Sequence, residues 1–275
     1  MTIQPENEDA IEQLIEVMKR LRSPEGGCPW DLEQTFETIA PYTIEEAYEV
    51  SDAINRGDIN DIKEELGDLL LQVVFHSQIA DEAGHFSIQE VAATIVKKMI
   101  HRHPHVFKKT GERTSQEQSA AWEEIKAAER MSNSAQGVRS SALDGVAIAL
   151  PALLRAEKLQ KRAARVGFDW TETNRIFDKL NEEIDEVKEA IETSNKSEIV
   201  DEIGDLIFVC ANLARKLDIK PEEALRQANS KFERRFRGME KMAAQNRQEF
   251  SELELDQQEA LWNAVKKTET SPAEQ

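Results

Sequence analysis

The chain has 275 residues, enough for two domains of ordinary size that each bury a core. Hydrophobic residues make up 40% of it and charged residues 32%, with 11 Gly and 8 Pro, a balance that excludes disorder and favours helices over a β-sandwich. The formal charge of −18 and a pI near 4.8 repel polyanions, so duplex nucleic acid is excluded as a non-specific partner and an anionic substrate needs local cations.

Apolar residues recur at helical spacing from Ile11 to Leu21, Ile39 to Ile54, Ile62 to Ala80 and Val91 to Ile100. After a Ser-, Asn- and Gly-bearing stretch, Met131 to Ala142, the same texture returns from Leu150 to Ala164, Ile176 to Ile191, Ile199 to Leu217 and Ala224 to Met242. The reading is an all-α chain of two tandem helical-bundle repeats, residues 1–132 and 143–275, with a linker at 133–142. No segment approaches 18 uncharged apolar residues, and the acidic start, Met1 to Asp9, lacks the basic and apolar parts of a signal peptide. Neither a membrane span nor secretion is expected. Cys28 and Cys210 are spaced like neither a zinc site nor a disulfide framework, so each is expected to be a small buried thiol in a cytoplasmic protein.

The two halves carry one pattern. Glu45-Glu46-Ala-Tyr-Glu49 and Glu64-Glu65-Leu-Gly-Asp68 return as Glu182-Glu183-Ile-Asp-Glu186 and Asp201-Glu202-Ile-Gly-Asp205, every position displaced by 137. With small shifts, Trp30 pairs with Trp170, Lys98 with Lys231, Arg102 with Arg235, Trp122 with Trp262 and Lys126 with Lys266. Residues three apart share a helix face, so Glu46 with Glu49, Glu65 with Asp68, Glu183 with Glu186 and Glu202 with Asp205 each form a pair. Short polar turns around Gly57 and Ser194 force the helices they join to run antiparallel. Glu46 and Asp68, and Glu49 and Glu65, are equidistant from Gly57; Glu183 and Asp205, and Glu186 and Glu202, are equidistant from Ser194. Equidistant residues sit at one height, so four carboxylates converge in each hairpin.

Four such groups repel one another, and a divalent ion removes the conflict. Oxygen-only ligation favours Mg²⁺ or Mn²⁺ over zinc, and such an ion can polarise a phosphoryl oxygen and acidify a water molecule. The plainer explanation is a solvated acidic helix face, the usual fate of a charge run; the repetition of paired spacing in both halves weakens it. The cluster His101-Arg-His-Pro-His105 follows a helix that Pro104 breaks, and a structural or phosphate-adjacent role suits it better than metal ligation. With no Gly-x-x-x-x-Gly-Lys-Ser/Thr loop and no Gly-x-Ser-x-Gly elbow, phosphate must be held by side chains and metal.

The Glu-Glu-x-x-Glu and Glu-x-x-Asp pair on consecutive helices resembles the all-α nucleoside triphosphate pyrophosphohydrolases, and the tandem arrangement is similar to the MazG branch of that family. Gly27-Cys-Pro-Trp-Asp31, His103-Pro-His-Val-Phe107, Val166-Gly-Phe-Asp-Trp170 and Lys231-Phe-Glu-Arg-Arg-Phe236 extend the resemblance over nearly the whole chain. It implies Mg²⁺-dependent hydrolysis of NTPs and dNTPs to monophosphate and pyrophosphate, with little base selectivity, in a homodimer. It also implies metal ligation by Glu183, Glu186, Glu202 and Asp205, substrate contact by Lys179, and triphosphate binding by Lys231 and Arg235. Trp262 and Lys266 would lie near the nucleotide, the indole either stacking on a base or packing at an interface. Glu182 and Asp201 are candidates for a secondary role.

The first half departs at one place, with Tyr42 where the second has Lys179. Its carboxylates Glu46, Glu49, Glu65 and Asp68 form an equivalent metal-site candidate, but the resemblance credits the second domain with hydrolysis and the first with dimer assembly. The competing reading is a helical dimerisation or regulatory module that binds nucleotide without turning it over. Retention of carboxylates and cations in both halves argues against it.

Overall fold

The computed structural model describes residues 10–107 and 141–270, together with 114, 117, 118, 121, 122 and 125. Every regular element among the described residues is helical. The expected linker at 133–142, save its last two residues, and Lys126 lie outside them. The chain divides into two compact units, Met1–Asn133 and Ser134–Gln275.

In the first unit α1 (Ala10–Leu21), α3 (Phe36–Arg56), α4 (Ile59–Glu82) and α5 (Ile88–Arg102) are the helices read from periodicity, with short α2 (Pro29–Glu33) and α6 (Pro104–Phe107) added. Five residues are too few for a period to register, which is why α2 escapes a sequence reading. Helix α3 starts where Thr35 and Thr38 exchange side-chain and backbone hydrogen bonds. It ends at Gly57, whose φ of 74° lets the chain reverse at once into α4, capped by the Asp58 carboxylate on the N–H groups of Asn60 and Asp61. Met18, Ile39, Val74, Phe75 and Ile79 form the core between α1, α3 and α4. At its edge Arg22, 7% exposed, donates through Nε and Nη2 to Glu82, at 3.0 and 2.8 Å, and to the backbone oxygens of Asp31 and Gln34. That one guanidinium ties the end of α1 to α2 and α4.

The second unit contains α7 (Ala152–Arg165), α8 (Thr173–Thr193), α9 (Lys196–Lys216), α10 (Pro221–Gln245), a 3-10 turn at Phe250–Glu252 and α11 (Leu255–Thr270). The α8–α9 turn copies the α3–α4 turn: Ser194 takes the left-handed conformation at φ 55°, and the Asn195 side chain accepts from the N–H of Ser197. Ile176, Val209, Ala211, Met239, Ala243 and Val265 are buried. Helices α10 and α11 approach so closely at Gly238 that a Cβ there would lie 3.0 Å from a methyl of Val265.

Two expectations about exposure are corrected. Cys210 is exposed and Cys28 half-buried, so neither is a core thiol. Cys210 continues an apolar stripe on α9 with Ile203 and Ile207, and the matching stripe on α4 is Leu66, Leu70 and Val73, all exposed. No helix among the described residues is long and apolar enough to cross a membrane.

Candidate metal centre

The α8–α9 hairpin brings Glu183, Glu186 and Glu202 together, one oxygen of each lying within 4.8 Å of the others. Asp205 stands outside this trio, although its charge reaches Glu202. Aspartate is one methylene shorter than glutamate, so at equal height it falls short of the shared centre. Of the four carboxylates expected to converge, three glutamates form the close group, and the aspartate acts on it through its charge. Glu183 is 3% exposed; its Oε1 is 2.9 Å from Lys179 Nζ, and its Oε2 is buried with no hydrogen-bond partner. Lys179 also donates to Glu182 at 2.6 Å and lies 4.0 Å from Glu186. The lysine expected to touch substrate thus sits inside the cluster as its counter-ion.

The electrostatics follow from this crowding. Burial, and then the neighbouring charges of Glu183, Glu202 and Glu182, push the Glu186 carboxyl above the ordinary carboxylate range against the pull of Lys179. Glu202 is raised in the same way by burial and by Asp201, Glu183 and Asp205. Lys179 is held protonated, its pKa raised by the hydrogen bonds it donates to Glu182 and Glu183.

The first unit repeats the trio as Glu46, Glu49 and Glu65, again within 4.8 Å, with Asp68 contributing its charge to Glu46 and Glu65. Burial and like charges raise Glu46 and Glu65. No lysine enters this cluster among the contacts of the described residues. At the position matching Lys179, Tyr42 instead meets the edge of Trp30, ring centres 6.3 Å apart. Beside Glu46 lies Gln72, whose Nε2 donates to Oε1 at 3.4 Å.

The cationic residues of α10 form a separate group. Arg235 pairs with Glu269 at 2.7 Å, and its guanidinium lies 5.4 Å from the ring centre of Trp262. Trp262 packs on Phe232 at 5.6 Å, so the indole is engaged with its own unit; Lys231 and Lys266 are exposed. Glu269 was not legible as the partner of Arg234 and Arg235 because it lies more than thirty residues along the chain from them. Arg102 lies at the end of α5 and Lys98 on its exposed surface. His103 donates through Nδ1 to the Met99 backbone oxygen at 2.7 Å and lies against His105 and Trp122, and no candidate metal group among the described residues includes these histidines.

A cavity of about 580 Å³ opens one turn beyond Asp205, between α7, the Gly167 to Trp170 loop and α9. Leu159, Gln160, Phe168, Trp170, Phe208 and Val209 line it. Sequence reading gave Val166 to Trp170 only as matching text. Its position is fixed by Asp169, which Arg215 and Lys216 grip from α9.

Comparison with known proteins agrees with this architecture. The family model described as the MazG nucleotide pyrophosphohydrolase domain matches residues 34–107 and 172–238, one segment in each unit. The chain is 51% identical over 263 residues to the nucleoside triphosphate pyrophosphohydrolase of Escherichia coli (strain K12), covering 94% of this chain and 98% of that protein. It is 42% identical over 256 residues to a nucleoside triphosphate pyrophosphohydrolase/pyrophosphatase of Thermotoga maritima, covering 93% and 95%. It also matches the uncharacterized protein YabN of Bacillus subtilis, at 43% identity over 92% of this chain and 51% of that protein. Two matched segments, each holding its carboxylate trio, and two relatives alike over nearly their whole length place the chain in the MazG nucleotide pyrophosphohydrolase family.

Proposed function

We propose that the second repeat hydrolyses NTPs and dNTPs to the monophosphate and pyrophosphate, using Mg²⁺ or Mn²⁺ held by Glu183, Glu186 and Glu202 with Asp205 behind them. The observation that carries this reading is the buried, unpartnered Oε2 of Glu183 beside two further carboxylates. An anionic oxygen removed from water and left unpaired is costly, and a hard divalent ion satisfies it. The donor set is oxygen throughout, which suits magnesium or manganese. When bound, the cation supplies Lewis acidity toward phosphate oxygens and water.

The chain's own groups do the rest. Lys179 can exchange Glu182 and Glu183 for a phosphate oxygen. Lys231 and Arg235, four apart on α10, offer charge to the departing pyrophosphate, and Trp262 fixes the Arg235 guanidinium. Lys266 adds a further cation from α11. As water attacks the α-phosphorus, a carboxylate of the cluster takes its proton and the bond to the bridging oxygen breaks. The cavity between Phe168, Trp170 and Phe208 gives the base aromatic and apolar walls, which accept any base face.

A second copy of the chain is the natural cover for the exposed stripes on α4 and α9, in line with a homodimer. Two free thiols suit a cytoplasmic setting. The test is to incubate purified chain with NTPs or dNTPs and Mg²⁺ and to resolve the products. Monophosphate plus pyrophosphate is expected; orthophosphate as first product, or no turnover with metal binding intact, overturns the proposal.

A further inference from the structure

Helix α11 holds the guanidinium of Arg235 on two sides. Nε donates to Glu269 Oε2 at 2.7 Å, and the guanidinium carbon lies 5.4 Å from the ring centre of Trp262. The other oxygen of Glu269 accepts from Arg234 Nε at 2.8 Å. Trp262, Val265 and Glu269 are three and four residues apart, so they share one face of α11, and the close approach of Val265 to Gly238 seats that face on α10 one turn beyond Arg235. Among the described residues the Nη groups of Arg235 make no hydrogen bond. A guanidinium presents its donors in a rigid planar fork, so with Nε taken by Glu269 the Nη pair is left as an end-on match for two phosphate oxygens. A carboxylate that competed with phosphate would occupy that Nη end; Glu269 takes the opposite edge.

We propose that Glu269 is a positioning residue for the triphosphate: from α11 it fixes Nε of Arg235, with Trp262 against the guanidinium face, so that the Nη pair is aimed before substrate arrives. The inference rests on the role given to Arg235 in the proposed function. A free arginine loses rotamer freedom when it grips an anion, and one already held has lost it in advance. The Arg235 side chain is 14% exposed and that of Glu269 24%, so the pair is partly removed from water and its geometry is kept. Lys231, one turn earlier on α10, is exposed and supplies charge without that fixed direction.

The experiment is steady-state pyrophosphate release from ATP with Mg²⁺ by the full chain, kcat and KM being read separately, in Glu269→Ala, Glu269→Gln, Arg235→Ala and the double variant Arg235→Ala with Glu269→Ala. Glu269→Ala should lower kcat/KM by roughly 10–100-fold, the scale of a misplaced binding group. Glu269→Gln, whose amide oxygen still accepts from Nε, should keep most of it. The double variant should be no worse than Arg235→Ala alone, since the acid acts through that arginine. Circular dichroism checks each fold, and Glu269→Asp, one methylene short of Nε, replaces the alanine variant if that one is unstable. Additive losses in the double variant, equal losses in Glu269→Gln and Glu269→Ala, or a KM that falls in both, overturn the proposal while leaving the role of Arg235 intact. Unchanged turnover in Arg235→Ala overturns that role and the proposal with it.

Discussion

The α3–α4 and α8–α9 hairpins share a turn, a register and a trio of glutamates, yet their counter-charges differ. In the second, Lys179 is packed among the acids; in the first, Tyr42 leans away on Trp30 and Gln72 takes the place beside the trio. The lesson is that a duplicated ligand set does not duplicate chemistry. On the function proposed above, the carboxylates would hold the cation and a displaceable lysine would ready the second cluster for an anionic substrate.

The largest expected effect tests that asymmetry. Glu183→Ala with Glu186→Ala should lower turnover on the order of 10³-fold, the scale seen when a site's charge stabilisation is removed, whereas Glu46→Ala with Glu49→Ala should leave most of it. Steady-state pyrophosphate release decides; equal losses would show that both hairpins hydrolyse. Next in size, Lys179→Tyr should cost roughly 10–100-fold, in the range of a lost charge-assisted contact to phosphate. The reciprocal Tyr42→Lys should not create activity in a chain whose second cluster has been removed, because the first repeat also differs at Gln72.

The eight longer helices before residue 246 and the hairpin register were legible because apolar periodicity and the shared offset of 137 depend only on local geometry, whereas short α2 and α6, and α11 at Leu255–Thr270, were not read. What Lys179 touches was legible only in part. Its spacing from Glu183 is helical, but that it serves as counter-ion before substrate arrives depends on side-chain packing. The partners of Arg235 and the orphaned oxygen of Gln72 come from contacts between separate helices, which no periodicity encodes. That Asp205 stands outside the close trio was not legible either, because register gives heights along a helix, not the reach of a side chain.

A third pair of tests compares the ion pairs that fasten each unit. Burial raises Glu82 and Asp169, but Arg22 with Gln78, and Arg215 with Lys216, more than reverse it, leaving both carboxyls below their ordinary range. A depressed pKa in the folded state stabilises above the unfolded value and ceases to do so as pH falls through the folded one. Glu82→Gln should therefore cost about 2 kcal/mol at pH 7, since it leaves the buried Arg22 unpaired. The gap from the parent should close below about pH 4, where ordinary carboxyls protonate. Asp169→Asn should behave alike with a smaller cost, as Lys216 remains partly in water. Denaturant melts across pH measure both, and a gap that persists in acid would mean that packing, not charge, carries the effect.

The smallest effect isolates the turn itself. Gly57 and Ser194 occupy equivalent left-handed positions, at φ 74° and 55°, and only serine has a Cβ to strain there. Open space surrounds the position a Cβ would take at Gly57, so Gly57→Ser adds backbone strain without a clash. Relief of strain at Ser194 is partly offset by the greater freedom of glycine in the unfolded chain. Ser194→Gly should then stabilise by about 0.5–1 kcal/mol and Gly57→Ser destabilise by a similar amount, read from denaturant midpoints. If Ser194→Gly destabilises instead, the serine side chain must contribute to the second turn in a way Gly57 does not in the first. The two hairpins would then differ in how they are held as well as in the groups that flank their carboxylates.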